Sequence, residues 1–101
     1  MKSFGDLVKQ AQKVQKQMTE MQEKLAEQRY EASAGGGSVK AIVDGKQMLK
    51  EIKIDPEALK DGDVTLLEDL IITAVGEAQR TSEAQMTESM GKLTGGLKLP
   101  F

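Results

Sequence analysis

The stretch from Ser3 to Gln28 reads SFGDLVKQAQKVQKQMTEMQEKLAEQ, and its apolar residues Phe4, Leu7, Ala11, Val14, Met18, Met21 and Leu25 return at intervals of three and four. An α-helix places residues at those spacings on one face, so the stretch predicts a single long helix with a narrow heptad seam. At the usual rise such a helix is about 40 Å long. A compact chain of this size has a radius of gyration of only about 13 Å. The helix is therefore expected to project from the body or to bury its seam against a partner.

Beyond this helix the period changes. Tyr30–Ala34 runs into Gly35-Gly36-Gly37, which has too much backbone freedom to continue a helix or strand and reads as a turn. Ser38 to Asp44 alternates, with Val39, Ala41 and Val43 on one face and Lys40, Ile42 and Asp44 on the other. Asp44-Gly45 signals a tight hairpin, because both residues tolerate positive φ. A third strand is expected from Gln47 to Ile54. Three short antiparallel strands form a sheet that needs a helix over its apolar face.

Asp55-Pro56-Glu57 has the chemistry of a helix start and leads into a short helical turn. Asp61-Gly62-Asp63 interrupts the chain and recaps it, and Val64 to about Met90 reads as a second long helix. Its first half carries Leu67, Leu70, Ile71, Ala74, Val75 and Ala78 and is expected to cover the sheet. Its second half is expected to extend outward. The fold class is α+β in one domain, with a helical arm at 3–28, a sheet at 30–54, a helical part at 56–90 and a flexible Gly-rich tail at 91–101.

A chain of 101 residues buries only a modest core, and Phe4, Tyr30 and Phe101 are its only aromatics. Association is accordingly expected. Cys and His are absent, which removes disulfides and the metal and nucleophile arrangements built on thiolate or imidazole. The N-terminal residues lack a signal-peptide core, and no stretch approaches the roughly 18 apolar residues that cross a bilayer. Cytoplasmic residence without a membrane partner is the expectation.

The net charge of −2 hides a polarity. Residues 1–19 carry four Lys and one Asp, whereas residues 61–90 carry seven acids and only Arg80. A polyanion would be attracted to the first helix and repelled by the second. With the seam at heptad positions a and d, Lys9 and Lys16 fall at f and Lys13 at c, forming one outward stripe. That stripe reads either as a solvated coiled-coil exterior or as a row of phosphate contacts.

Gln10, Gln15, Gln17 and Gln22 flank the seam at e and g, where neutral residues leave pairing weakly specified. The seam is therefore expected to pack against the second long helix near the sheet. Asp61-Gly62-Asp63 lacks the remaining ligands of a calcium loop, and Gly35–Gly37 lacks the signature of a phosphate loop. No cofactor, small-molecule substrate or enzyme site is indicated. Met18, Met21, Met86 and Met90 read as gap-filling residues or, alternatively, as an adaptable groove in a small chaperone-like interaction module.

The order of parts carries a resemblance. Lys9-Gln10-Ala11-Gln12 in a Gln-rich helix is followed by Val39-Lys40-Ala41, Asp44-Gly45, Ile54-Asp55-Pro56-Glu57, Leu67-Glu68-Asp69-Leu70 and a closing Leu99-Pro100-Phe101. This series resembles the YbaB/EbfC family of nucleoid-associated proteins along nearly the whole chain. The resemblance implies a tweezers-like homodimer that binds double-stranded DNA on the nucleoid and alters its conformation. Lys9 matches the Lys of the family's Lys-Gln-Ala-Gln opening; Lys13 and Lys16 join it as DNA-binding candidates through the helical wheel.

Overall fold

The structure, a computed structural model, describes residues 3–94. Helix α1 spans Phe4–Glu27, strands β1, β2 and β3 span Tyr30–Ala34, Val39–Val43 and Leu49–Ile54, a 3-10 turn covers Pro56–Leu59, and helix α2 runs from Val64 to Thr94. The capping chemistry read from the sequence at Asp55 and Asp63 is present, and α1 has a cap of its own. Ser3 and Asp6 form a reciprocal capping box at α1. The Asp55 carboxylate accepts from the Glu57 amide at 3.0 Å, and Asp63 accepts from the Leu66 amide at 2.9 Å.

The sheet is antiparallel in the order β1-β2-β3. The β1–β2 turn needs its glycines, since Gly35, Gly36 and Gly37 all have φ between 64° and 98°. Alternation sends Val39, Ala41 and Val43 to the face covered by α2, where they meet Ala74 and Ala78 and the flanking Leu67, Leu70, Ile71 and Val75. Every fully buried apolar residue in this core is Ala or Val. Small side chains let the helix lie close to the sheet, but they bury little area.

Four features depart from the sequence expectations. The third strand begins at Leu49, two residues later than expected, and a bulge opposite Ile42 and Val43 leaves Lys50 without a Cα partner. Asp44 does not share the open face with Lys40 and Ile42 but is 1% exposed. The Asp44-Gly45 dipeptide is not a two-residue hairpin turn; the loop spans 44–48, and Gln47, with φ 67°, supplies its left-handed residue. Helix α2 continues through Gly91 to Thr94, so the expected 91–101 tail is helical in its first four residues and otherwise lies outside the described residues.

The placement of α1 also differs. No residue of α1 is buried, and Phe4, Leu7, Val14 and Met18 are each more than half exposed. The seam does not pack along α2; only its base does, where Met21 and Leu25 share a cleft with Met86 and Met90. Heptad spacing defines a face that can be buried without choosing what buries it. The result is an elongated molecule of 72 × 25 × 16 Å with a radius of gyration of 20.0 Å.

Candidate nucleic-acid interface

Lys9, Lys13 and Lys16 all lie exposed on the projecting part of α1. Their spacing of four and three residues aligns them on one side of the helix, over about 10 Å of its axis. None forms an ion pair among the described residues, whereas Lys50, Lys53, Lys60 and Lys92 each approach a carboxylate. The seam occupies another side of the same helix, so a partner on the apolar face leaves the three ammonium groups accessible. The helix turns acidic toward its base at Glu20, Glu23 and Glu27.

The base of the arm is held by a compact set of polar contacts. The Gly45 amide donates to the Leu25 carbonyl at 2.8 Å. Arg29 donates through Nη1 to the Ala26 and Gln28 carbonyls, both at 2.8 Å, and Tyr30 donates from its hydroxyl to Gln28 Oε1 at 2.9 Å. These bonds occupy carbonyls that a helix end leaves without partners, and the guanidinium sits at the negative end of the helix dipole. A Cβ on Gly45 would stand 2.7 Å from the Leu25 carbonyl oxygen and 2.5 Å from Gln28 Oε1. Gly45 is required for close approach rather than for positive φ.

Asp44 organises the loop that carries Gly45. Its Oδ1 accepts from the amides of Lys46 at 2.8 Å and Met48 at 3.0 Å, and its Oδ2 lies 3.6 Å from Lys50 Nζ. Desolvation pushes the carboxyl pKa up, but the Met48 and Lys46 amides and the Lys50 ammonium outweigh it and hold the group below the usual carboxylate range. The Ser82 hydroxyl donates to the Asp44 carbonyl, and Gln79 Nε2 donates to the Gln47 carbonyl at 3.2 Å. The loop thus joins α1 to α2.

Helical periodicity alone aligns the three lysines, whereas this mount joins residues far apart in the sequence. Ser82 had a signal, since Ala74, Ala78 and Ser82 repeat every four residues as a stripe of small side chains on α2. The open face of the sheet also places Lys40 directly opposite Lys53, a pairing that becomes visible only once register is known.

An α+β body projects a helix whose three exposed lysines form no ion pair among the described residues. The chain belongs to the YbaB/EbfC DNA-binding family, whose model matches residues 1–97. It is 46% identical to a nucleoid-associated protein of Clostridium acetobutylicum, over 97% of this chain and 88% of that one. A nucleoid-associated protein of Acetivibrio thermocellus is 47% identical over 94% of this chain and 84% of its own length. The crystal structure of an uncharacterized Helicobacter pylori protein shares the fold, with a TM-score of 0.77 and 18% identity over 92% of this chain and 98% of that one.

Proposed function

We propose that this nucleoid-associated protein works as a homodimer on the nucleoid, in the cytoplasm, and holds double-stranded DNA mainly by its phosphate backbone, altering the duplex conformation without catalysis. DNA as the ligand is supported by family membership. The observation that carries the mode of binding is the row of Lys9, Lys13 and Lys16, exposed and without carboxylate partners among the described residues. Ammonium groups are compact point charges that suit phosphate contacts better than reading of base edges. A second copy of the chain is supported by the bare seam at Phe4, Leu7, Val14 and Met18, which would otherwise remain in water.

The test is a salt-titrated gel shift with duplex DNA, after light scattering has established the oligomer. Two copies of three lysines neutralising about six phosphates predict a fall in affinity of about a thousandfold between 50 and 200 mM salt. Replacing Lys9, Lys13 and Lys16 together by Glu is expected to abolish binding and leave the dimer intact. An unchanged shift by that triple variant overturns the assignment. Salt-insensitive capture of unfolded chains would favour a chaperone-like module instead.

A further inference from the structure

The open face of the sheet, turned away from α2, is divided by charge. Direct cross-strand partners set Ser33 beside Lys40 and Lys40 beside Lys53 in one row, and Glu31, Ile42 and Glu51 in the next. Like charges directly opposite one another destabilise a sheet, and Lys40 has no carboxylate partner among the described residues. Lys53 reaches only Glu51, at 3.7 Å, in a pair whose side chains are 61% and 51% exposed. A pair that open to solvent holds weakly and yields to a stronger anion. We propose that the row Ser33, Lys40 and Lys53 is a second phosphate-binding surface, separate from the arm, that takes the sugar-phosphate backbone of DNA; this rests on the reading of the protein as a binder of DNA phosphates.

The surroundings of the row suit that occupant. Lys40 and Lys53 border a shallow cavity of about 250 Å³ with Gly37, Ile54 and Asp55. Asp55 is the one acid on this lining, and its carboxylate is engaged by the Glu57 amide at 3.0 Å. The rim is bare backbone, since a Cβ at Gly36 or Gly37 would meet nothing within 4 Å, so a DNA strand can come close without meeting side chains. This rim is held in place: the Ser38 hydroxyl donates to the Gly35 carbonyl, and the Asp55 amide donates to the Ser38 carbonyl, both at 2.8 Å. Direct cross-strand partners have Cα atoms about 5 Å apart. The two ammonium groups can therefore close on one phosphodiester or take two in succession, with the exposed Ser33 hydroxyl as a neutral donor beside them. Lys40 lies about 17 Å along the strand from Gly45, and Lys16 about 13 Å along α1 from Leu25, which Gly45 binds. The two cationic surfaces stand on different elements, and each can be altered without touching the other.

Limited acetylation of lysines by an N-hydroxysuccinimide ester, read by mass spectrometry with and without duplex DNA at one protein concentration, provides the test. Lys40 and Lys53 are expected to lose most of their acetylation when DNA is added. Lys60, set among Glu57, Asp61 and Asp63, repels DNA and is expected to keep its own, as the internal reference. In salt-titrated gel shifts, replacing Lys40 and Lys53 together by Gln is expected to lower the slope of log affinity against log salt by about 1.8 for each protomer engaged. Lys53→Glu sets opposite charges across β2 and β3, so it is expected to hold or raise the melting temperature while weakening DNA binding, a combination that a folding defect does not produce. Loss of acetylation at Lys9, Lys13 and Lys16 without loss at Lys40 and Lys53 overturns this proposal and leaves the arm assignment standing. Loss at Lys40 and Lys53 alone supports it and overturns the arm assignment instead. Unchanged acetylation at all five overturns both, and an unchanged slope in the double Gln variant overturns the sheet surface by itself.

Discussion

The Ser82 hydroxyl, deep in the middle of α2, donates to the backbone carbonyl of Asp44 at 2.7 Å, and both residues are essentially inaccessible to water. This contact spans 38 positions in sequence and fixes the β2–β3 loop on the helix. The loop in turn fixes the arm. Ser82→Ala removes the donor but leaves the carbonyl one bond, from the Gln47 amide at 3.1 Å. The expected loss is about 1 kcal/mol, equivalent to a fall in melting temperature of about 4–8 °C by calorimetry.

Gly45→Ala is expected to be more costly and to change shape as well as stability. Gln28 can swing its amide away from a new Cβ, but the Leu25 carbonyl belongs to the helix backbone and cannot move alone. Overpacking of this kind costs about 1–3 kcal/mol. Distances between spin labels on α1 and α2 are expected to broaden or shift, whereas a rigid surface substitution would leave them unchanged.

Asp44 gives stability a defined dependence on acid. Its folded pKa lies below the ordinary value, so the unfolded chain takes up the proton first as pH falls. The stabilisation is complete above the unfolded pKa of about 4 and is lost progressively as pH falls below it toward the folded value. Asp44→Asn keeps an oxygen acceptor for the Lys46 and Met48 amides but loses the charge facing Lys50. Denaturant titrations are expected to show wild type more stable than this variant at pH 7, with the gap narrowing below about pH 4.

Single lysine substitutions separate phosphate binding from structural effects. Lys13→Gln is expected to reduce the slope of log affinity against log salt by about 0.9 for each phosphate that is no longer neutralised. If both arms of a dimer engage, the change is about twice that. Melting temperature is expected to stay constant, because Lys13 is exposed and makes no ion pair among the described residues.

The seam makes a separate prediction. Leu7 and Val14 are each 54% exposed, and replacing either by Glu is expected to weaken self-association by about tenfold or more, the equivalent of removing one apolar side chain from an interface. Sedimentation or light scattering across a dilution series reads the effect. The far-ultraviolet helix signal is expected to persist at high protein concentration.

Local chemistry was legible in the sequence and long-range contact was not. Asp55 before Pro56 and Asp63 after Gly62 declared their helix starts, because a cap depends on residues within one turn. The alternation of Val39, Ala41 and Val43 declared their inner face for the same reason. Asp44-Gly45 was recognisable as a turn, but its actual tasks depend on Leu25 and Ser82, which no local pattern places beside it. The three lysines were legible as a stripe because helical periodicity alone aligns them. The exposure of the seam was not, since periodicity is silent about what lies opposite.

One missing Cβ has a mechanical consequence. Lys9 lies 16 helical residues beyond Leu25, about 24 Å up the arm, so a tilt of about 8° at the Gly45 tie carries its ammonium sideways by about 3.4 Å, one nucleotide step along a DNA strand. The arm is a lever, and the Gly45 amide on the Leu25 carbonyl is part of its fulcrum. Any atom added at that fulcrum is magnified at the tip, and under the proposed phosphate contacts it becomes a shift of register set about 24 Å from the lysine that makes the contact.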